Sequence, residues 1–306
     1  MGQLINGKWE ATDEVQAHPS VHAHELGTTE FPFDESTSGR YHLFVAKSCP
    51  FAQRAEIALH LKGLAPKIGV SIAHPVQTAQ GWGFEADGLA GVGNNASDAK
   101  YLHEVYSKAD PNFTGRVTVP LLYDTHANRI VSKESADIVA IFAEVGTAGP
   151  DLTAHATAQQ QAVPLFGEFF GGLLKVGRAE DQKSYDAAIA AFYAVVEKIE
   201  AHLAKSKFLA GDEATAVDVN TFPAFAGFEI GLGIKMLITG NRLRDYPNLD
   251  AYIRRFYQLP GVRDAVDPKQ WKLSIFAEAN KNKFFSPKKE HIAIATPDLD
   301  WNKPVN

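Results

Sequence analysis

The chain has 306 residues, with 36 acidic side chains against 30 basic ones and a formal charge of -6. That balance argues against a duplex-binding surface, because neutralising phosphates needs clustered Lys and Arg. A content of 45% hydrophobic and 22% charged residues is that of an ordinary globular protein, long enough for two domains, with no repeat or low-complexity tract.

The start, MGQLINGKWE, lacks the cationic and apolar regions of a secretion signal, and no run approaches the roughly 20 apolar residues of a membrane span. A cytoplasmic protein with no membrane contact is expected. The single cysteine, Cys49, excludes an intramolecular disulfide, a CxxC redox pair and a thiolate zinc cage together. Any disulfide at Cys49 therefore involves a partner's sulfur. His22 and His24 flank a single residue with no Cys nearby, so no metal is expected there. Lys281, Lys283, Lys288 and Lys289 read as a solvated tail.

Residues 1–38 mix Gly, Pro, His and acids without sustained periodicity and read as an extended arm on the surface. Tyr41 to Ala46 has the aromatic and β-branched content of a buried strand, and Pro50 opens an amphipathic helix to about Lys62, closed by Gly63. A second strand is expected near Lys67 to Ala73, then a Gly- and Asn-rich connection over 81–95 and a short helix from about Ala99 to Ser107. Arg116 to Tyr123 and Arg129 to Val131 form a hairpin around the turn-rich segment 124–128, and a helix follows from Ser135 to about Val145. This β, α, β, α, β, β, α order matches a thioredoxin-like domain over 39–148, with Tyr41 and Tyr123 in its core.

Beyond Gly149 and Pro150 the texture becomes Ala-rich at helical period, clearest in Tyr185 to Lys205. An all-helical domain is expected over 149–265, with a tail over 266–306. Thr215 and Asp218 have the spacing of a capping box. Gly227, Gly231 and Gly233 lack the strand-turn-helix context of a dinucleotide loop and read as close-packing or bending points.

In the run Lys47 to Arg54, Cys49 falls at the helix N-cap and Pro50 at the first helical position, where its missing amide costs nothing. Free amides and the helix dipole then favour a thiolate, a setting that lowers a thiol pKa from about 8.5 to roughly 3.5–7.5. In a thioredoxin-like domain a proline at the position of Pro120 is cis, and Val119 turns its backbone toward a bound peptide. A carboxylate and a hydroxyl entering a helix, Glu134 and Ser135, suit the ammonium and carboxylate of a γ-glutamyl group. Together these features point to glutathione as the partner of Cys49.

With these pieces the chain resembles the glutathionyl-hydroquinone reductases, the Xi class of glutathione transferases. The resemblance rests on MGQLINGKWE, the segment around SCPFAQR, GWGF, TGRVTVPLLYD, SKESADI, KFLAGDEATAVDV and RDYPNLDAYIRRFYQLPGV. It implies a glutathione transferase fold, a homodimer, Cys49 as nucleophile, and glutathione as cosubstrate with no metal. Trp82, Arg116, Val117, Thr118, Val119 and Pro120 would contact glutathione, with Glu134 and Ser135 at its γ-glutamyl end. In such enzymes the thiolate takes glutathione from a glutathionyl-hydroquinone and a second glutathione resolves the mixed disulfide.

The same resemblance marks a departure around the electrophile. Phe51 stands where the family carries Trp, and Leu174, Leu232 and Ile275 stand where it carries three tyrosines. Losing three hydroxyls removes donors that a phenol leaving group needs, so a small apolar or aromatic electrophile or conjugate is expected in place of a typical hydroquinone. Two other readings keep the same fold. One is a transferase or lyase in which the thiolate of bound glutathione attacks and Cys49 only orients it; the other is a non-catalytic binding module.

Overall fold

The structure, a computed structural model, describes residues 2–12, 26–29, 31–86, 88–279 and 299–305. It divides into two compact units, Met1–Ala148 and Gly149–Asn306. His22, His24 and the four lysines of the basic cluster lie outside the described residues. Among those that are described, no helix is long and apolar enough to cross a membrane.

The first unit is built on a four-stranded sheet of β3 (Tyr41–Val45), β4 (Gly69–Ile72), β6 (Leu121–Asp124) and β7 (Arg129–Ser132), in the order β4-β3-β6-β7. β3 runs parallel to β4 and antiparallel to β6, with Leu43 opposite Leu122 and Phe44 opposite Leu121. All five residues of β3 are buried, as expected of a central strand covered on both faces. Helix α1 (Pro50–Leu61) makes the crossover from β3 to β4 and packs against α3 (Ser135–Val145). Tyr41 and Tyr123 are both core residues.

Helix α2 spans Leu102–Ala109, starting later than the spacing predicts. The Glu104 carboxylate takes the amides of Lys100 and Tyr101 at 2.7 and 3.2 Å, and this capping fixes the start.

Residues 3–10 correct the sequence expectation of an arm. They form a hairpin of β1 (Gln3–Ile5) and β2 (Lys8–Glu10), and β1 pairs on its other side with β5 (Gly115–Arg116). Asn6 and Gly7 both take positive φ at the turn, +47° and +73°, the conformation a two-residue hairpin needs. A Cβ at residue 7 would meet the Pro111 carbonyl oxygen at 1.9 Å, so only glycine fits.

His42 is buried on β3. Its Nε2 lies 2.7 Å from the Ser71 hydroxyl, which also accepts the Asn95 amide at 2.8 Å and so holds the glycine-rich connection against the sheet. Desolvation pushes the imidazole pKa from 6.5 down to about 4. Between those two values the unfolded chain binds a proton that the folded chain refuses, so stability falls as pH falls across the window. The loss expected from His42 is about 3 kcal/mol. Urea midpoints at neutral pH and at pH 4 should show it, and His42→Gln should flatten that part of the dependence.

The second unit is helical in its described residues. Its elements are α4 (Ala156–Gly177), α5 (Gln182–Leu203), α6 (Ala216–Gly227), the short α7 (Gly233–Lys235), α8 (Pro247–Tyr257), α9 (Val262–Ala265) and α10 (Pro268–Ala279). Phe169, Phe192, Phe225 and Phe228 form an aromatic centre with ring centroids 4.8–6.0 Å apart. Thr215 caps α6, and the buried Asp218 accepts the Thr215 and Leu209 amides, each at 2.8 Å.

A π-turn over Phe228–Leu232 separates α6 from α7. Gly227 and Gly233 are tightly packed there: an added Cβ would lie 2.7 Å from the Trp271 ring and 2.8 Å from the Phe228 ring. The region expected as a tail contains α10 and, further on, Trp301, which is buried against Phe222 and Tyr257.

Candidate active site

The end of β3 delivers Lys47, Ser48 and Cys49 to the start of α1. This turn is held from below. The Gln53 side chain donates to the Lys47 carbonyl at 3.0 Å, a buried ion pair joins Lys47 to Glu56, and the Cys49 amide donates to Ala46 at 3.0 Å. Cys49 is the N-cap, with extended backbone (φ -100°, ψ 115°), and Pro50 is the first helical residue.

The Cys49 sulfur is half-buried and lies 3.9 Å from the Val119 carbonyl oxygen. Burial raises the thiol pKa above its ordinary value. The amides of Ala52 and Phe51 and the Arg54 guanidinium pull the other way without overcoming it. This corrects the expectation from helix placement alone: the N-terminus favours the thiolate, but the surrounding protein costs it more.

The segment expected as one strand from Arg116 to Tyr123 is two. β5 ends at Arg116 and pairs with β1, whereas β6 starts at Leu121 in the main sheet. Between them the Val119-Pro120 peptide is cis. The buried Tyr106 hydroxyl donates to the Thr118 carbonyl at 2.9 Å. Among the described residues no backbone group pairs with the amide or carbonyl of Val119; the carbonyl meets only the Cys49 sulfur, and the amide is left for an extended ligand.

Glu134 is the exposed N-cap of α3, its amide bonded to the Ser132 hydroxyl at 3.1 Å, and its carboxylate makes no capping bond. Ser135 beside it is buried. Arg54, a residue to which the sequence reading gave no role, connects this end to the cysteine. Its Nη1 donates to the Ser135 hydroxyl at 3.4 Å, and its guanidinium lies 4.7 Å from the centre of the Phe51 ring. Desolvation lowers its pKa to about 10, which leaves it cationic at neutral pH. The signal available in the sequence was a cation five positions after the cysteine on the same helix.

Cys49 is thus joined directly to Val119, and Ser135 is joined to the cysteine's helix through Arg54. Trp82 is half-buried just after the Thr78–Gly81 turn, and Arg116 is exposed at the end of β5. Phe51 is 38% exposed. Leu174, Leu232 and Ile275 belong to the second unit. Leu174 is half-buried on α4, Leu232 ends the π-turn, and Ile275 on α10 sits beside it, its Cδ1 3.4 Å from where a Cβ on Gly231 would be. No group of three His, Cys, Asp or Glu side chains among the described residues could hold a metal ion.

Two family descriptions match the chain: glutathione S-transferase, N-terminal domain, over residues 48–145, and glutathione S-transferase, C-terminal domain, over residues 155–260. Glutathionyl-hydroquinone reductase YqjG of Escherichia coli is 32% identical over 291 residues, covering 87% of this chain and 88% of that protein. The glutathione-bound structure of YqjG superposes with a TM-score of 0.83 at 28% identity, covering 99% of this chain and 98% of the other. A Xi-class transferase from Natrialba magadii gives a TM-score of 0.86 at 27% identity, covering 99% and 95%. The chain has the glutathione transferase fold, with an N-terminal thioredoxin-like domain and a C-terminal helical domain. It belongs to the glutathionyl-hydroquinone reductase family, the Xi class of glutathione transferases.

Proposed function

We propose that this enzyme takes the glutathionyl group from a glutathione conjugate onto Cys49. The observation that carries the reading is the Cys49 sulfur at the head of α1, 3.9 Å from the carbonyl oxygen of Val119, whose backbone pairs with no other backbone group among the described residues. An extended γ-glutamyl-cysteinyl segment pairing with Val119 would bring its sulfur to that of Cys49. Trp82, Arg116, Val117, Thr118 and Pro120 flank the ligand, and the γ-glutamyl end meets Glu134, Ser135 and the first amides of α3.

The Cys49 thiolate attacks the sulfur of the conjugate. A sulfur-sulfur bond forms as the sulfur-carbon bond breaks, and the carbon leaves with the bonding electrons and takes a proton. A second glutathione thiolate then attacks the glutathionyl sulfur, releasing glutathione disulfide and the Cys49 thiolate. The carbon is reduced, and two glutathione sulfurs are oxidised. The resemblance sets Leu174, Leu232 and Ile275 where the family carries tyrosines, and aliphatic side chains in those roles offer no donor to a developing phenolate, which supports an apolar conjugate over a phenolic one. Comparing turnover of an apolar glutathione thioether with that of a glutathionyl-hydroquinone tests this. Equal or better turnover of the hydroquinone conjugate contradicts the apolar assignment.

One observation favours a second reading. Burial raises the Cys49 pKa, and a protonated thiol could donate a hydrogen bond to the thiolate of bound glutathione, which would itself attack the electrophile. Thioether formation that survives Cys49→Ala would select this second reading.

A further inference from the structure

The N-terminal hairpin touches both segments that flank the proposed ligand. β1 sets Gln3 opposite Arg116 and Leu4 opposite Gly115, just before Val117 to Val119. The Asn6 amide donates to the Thr114 hydroxyl at 2.9 Å, and the Gly7 amide to the Phe113 carbonyl at 2.9 Å. These bonds fix the hairpin to the approach of the Val119 segment.

On its other side the hairpin reaches the turn that precedes Trp82. The Trp9 indole donates from Nε1 to the Ala79 carbonyl at 3.0 Å and stacks on His103 at 4.7 Å, nearly parallel at 16°. His103 stacks in turn on Tyr101 at 5.5 Å, and its Nε2 lies 3.2 Å from the Gln80 side-chain oxygen. Gly81 has φ +75°, and a Cβ there would lie 2.9 Å from the indole, so the ring is moulded against the turn. Trp82 follows immediately.

We infer that Trp9 is a positioning residue for glutathione: through the Thr78–Gly81 turn and through β1 it holds Trp82 and the Arg116 to Val119 segment in one arrangement. This rests on the glutathione reading above. Trp82 and residues 117–119 lie outside the strands, and ordering such residues at the moment of binding weakens affinity, so a brace that orders them beforehand strengthens it. Trp9 touches no part of the proposed ligand and acts only through the turn and β1. A hairpin that merely covered a sheet edge would affect unfolding temperature and leave glutathione affinity alone.

Calorimetric titration of glutathione into the full chain tests this, alongside Trp9→Ala, Trp9→Phe and Glu134→Gln. Trp9→Ala should weaken binding about tenfold, and Trp9→Phe, which keeps the ring over His103, should restore most of it. The rate of Cys49 alkylation should stay the same in both, while deuterium exchange rises at 78–83 and 115–119. Tight binding by the unaltered chain, weakened by Glu134→Gln but matched by Trp9→Ala, overturns the inference and leaves the glutathione reading standing. No binding by the unaltered chain overturns both. If Trp9→Ala does not fold, the half-exposed His103→Ala, which leaves the hairpin pairing intact, should weaken binding about threefold, and unchanged affinity there also overturns the inference.

Discussion

Replacing Cys49 with alanine should reduce the release of the carbon product from a glutathione conjugate about a thousandfold or more, because the step has no other sulfur to form the mixed disulfide. The chain holds no second cysteine to substitute. Glutathione affinity should change little, since the proposed binding rests on Val119, Glu134 and Ser135. The pH dependence carries a sign. Because burial raises the thiol pKa, alkylation of Cys49 should climb with pH through a midpoint above that of an ordinary cysteine. Arg54→Gln removes a cation that favours the thiolate and should move the midpoint higher still, whereas Arg54→Lys should move it less. A midpoint for Arg54→Gln at or below the unaltered value would remove Arg54 from the site. Stopped-flow alkylation across the pH range measures all three.

The second large effect lies in the helical unit. Glu229 is 2% exposed and accepts the Leu243 amide at 2.8 Å, Arg242 Nη2 at 2.8 Å and Arg244 Nε at 3.3 Å. Glu229→Ala leaves a buried amide unpaired and removes the carboxylate shared by two guanidinium groups. Removing one partner of a buried pair costs about 3–5 kcal/mol; about 3 is expected here because each arginine side chain is a third exposed. Glu229→Gln keeps an acceptor for Leu243 and should cost roughly half as much. The exposed Lys198–Glu168 pair is the control: Glu168→Ala should change stability by less than about 0.5 kcal/mol. Urea unfolding resolves these differences.

Local pattern carried much of the fold. β3, α1 and α3 lie where aromatic and β-branched content, Pro50 and helical period put them, because those signals are short-range. Asn6-Gly7, the strongest short hairpin signal in the chain, was also legible, but the strands it joins are too short to show alternation, and their pairing with β5 is a long-range contact. The broken strand at Val119 escaped notice because apolar residues continue across Pro120, and only pairing shows that the two halves enter different sheets.

The candidate site divides the same way. Cys49, Val119, Glu134 and Ser135 could be found because each sits at a helix start or beside a proline. The link from Arg54 to Ser135 could not, because it depends on α1 packing against α3. The direction of the Cys49 shift is not legible in the sequence for a related reason. A helix N-terminus is visible in sequence, whereas desolvation depends on everything packed around the sulfur.

The most direct measurement is intact-mass spectrometry of a single turnover, with the enzyme in excess over an apolar glutathione conjugate and no free glutathione. Cys49 should gain one glutathionyl group in step with release of the carbon product, lose it when glutathione is added, and show no gain in Cys49→Ala. Release of the carbon product with Cys49 unmodified, or at an unchanged rate in Cys49→Ala, would contradict Cys49 as the sulfur that takes the glutathionyl group.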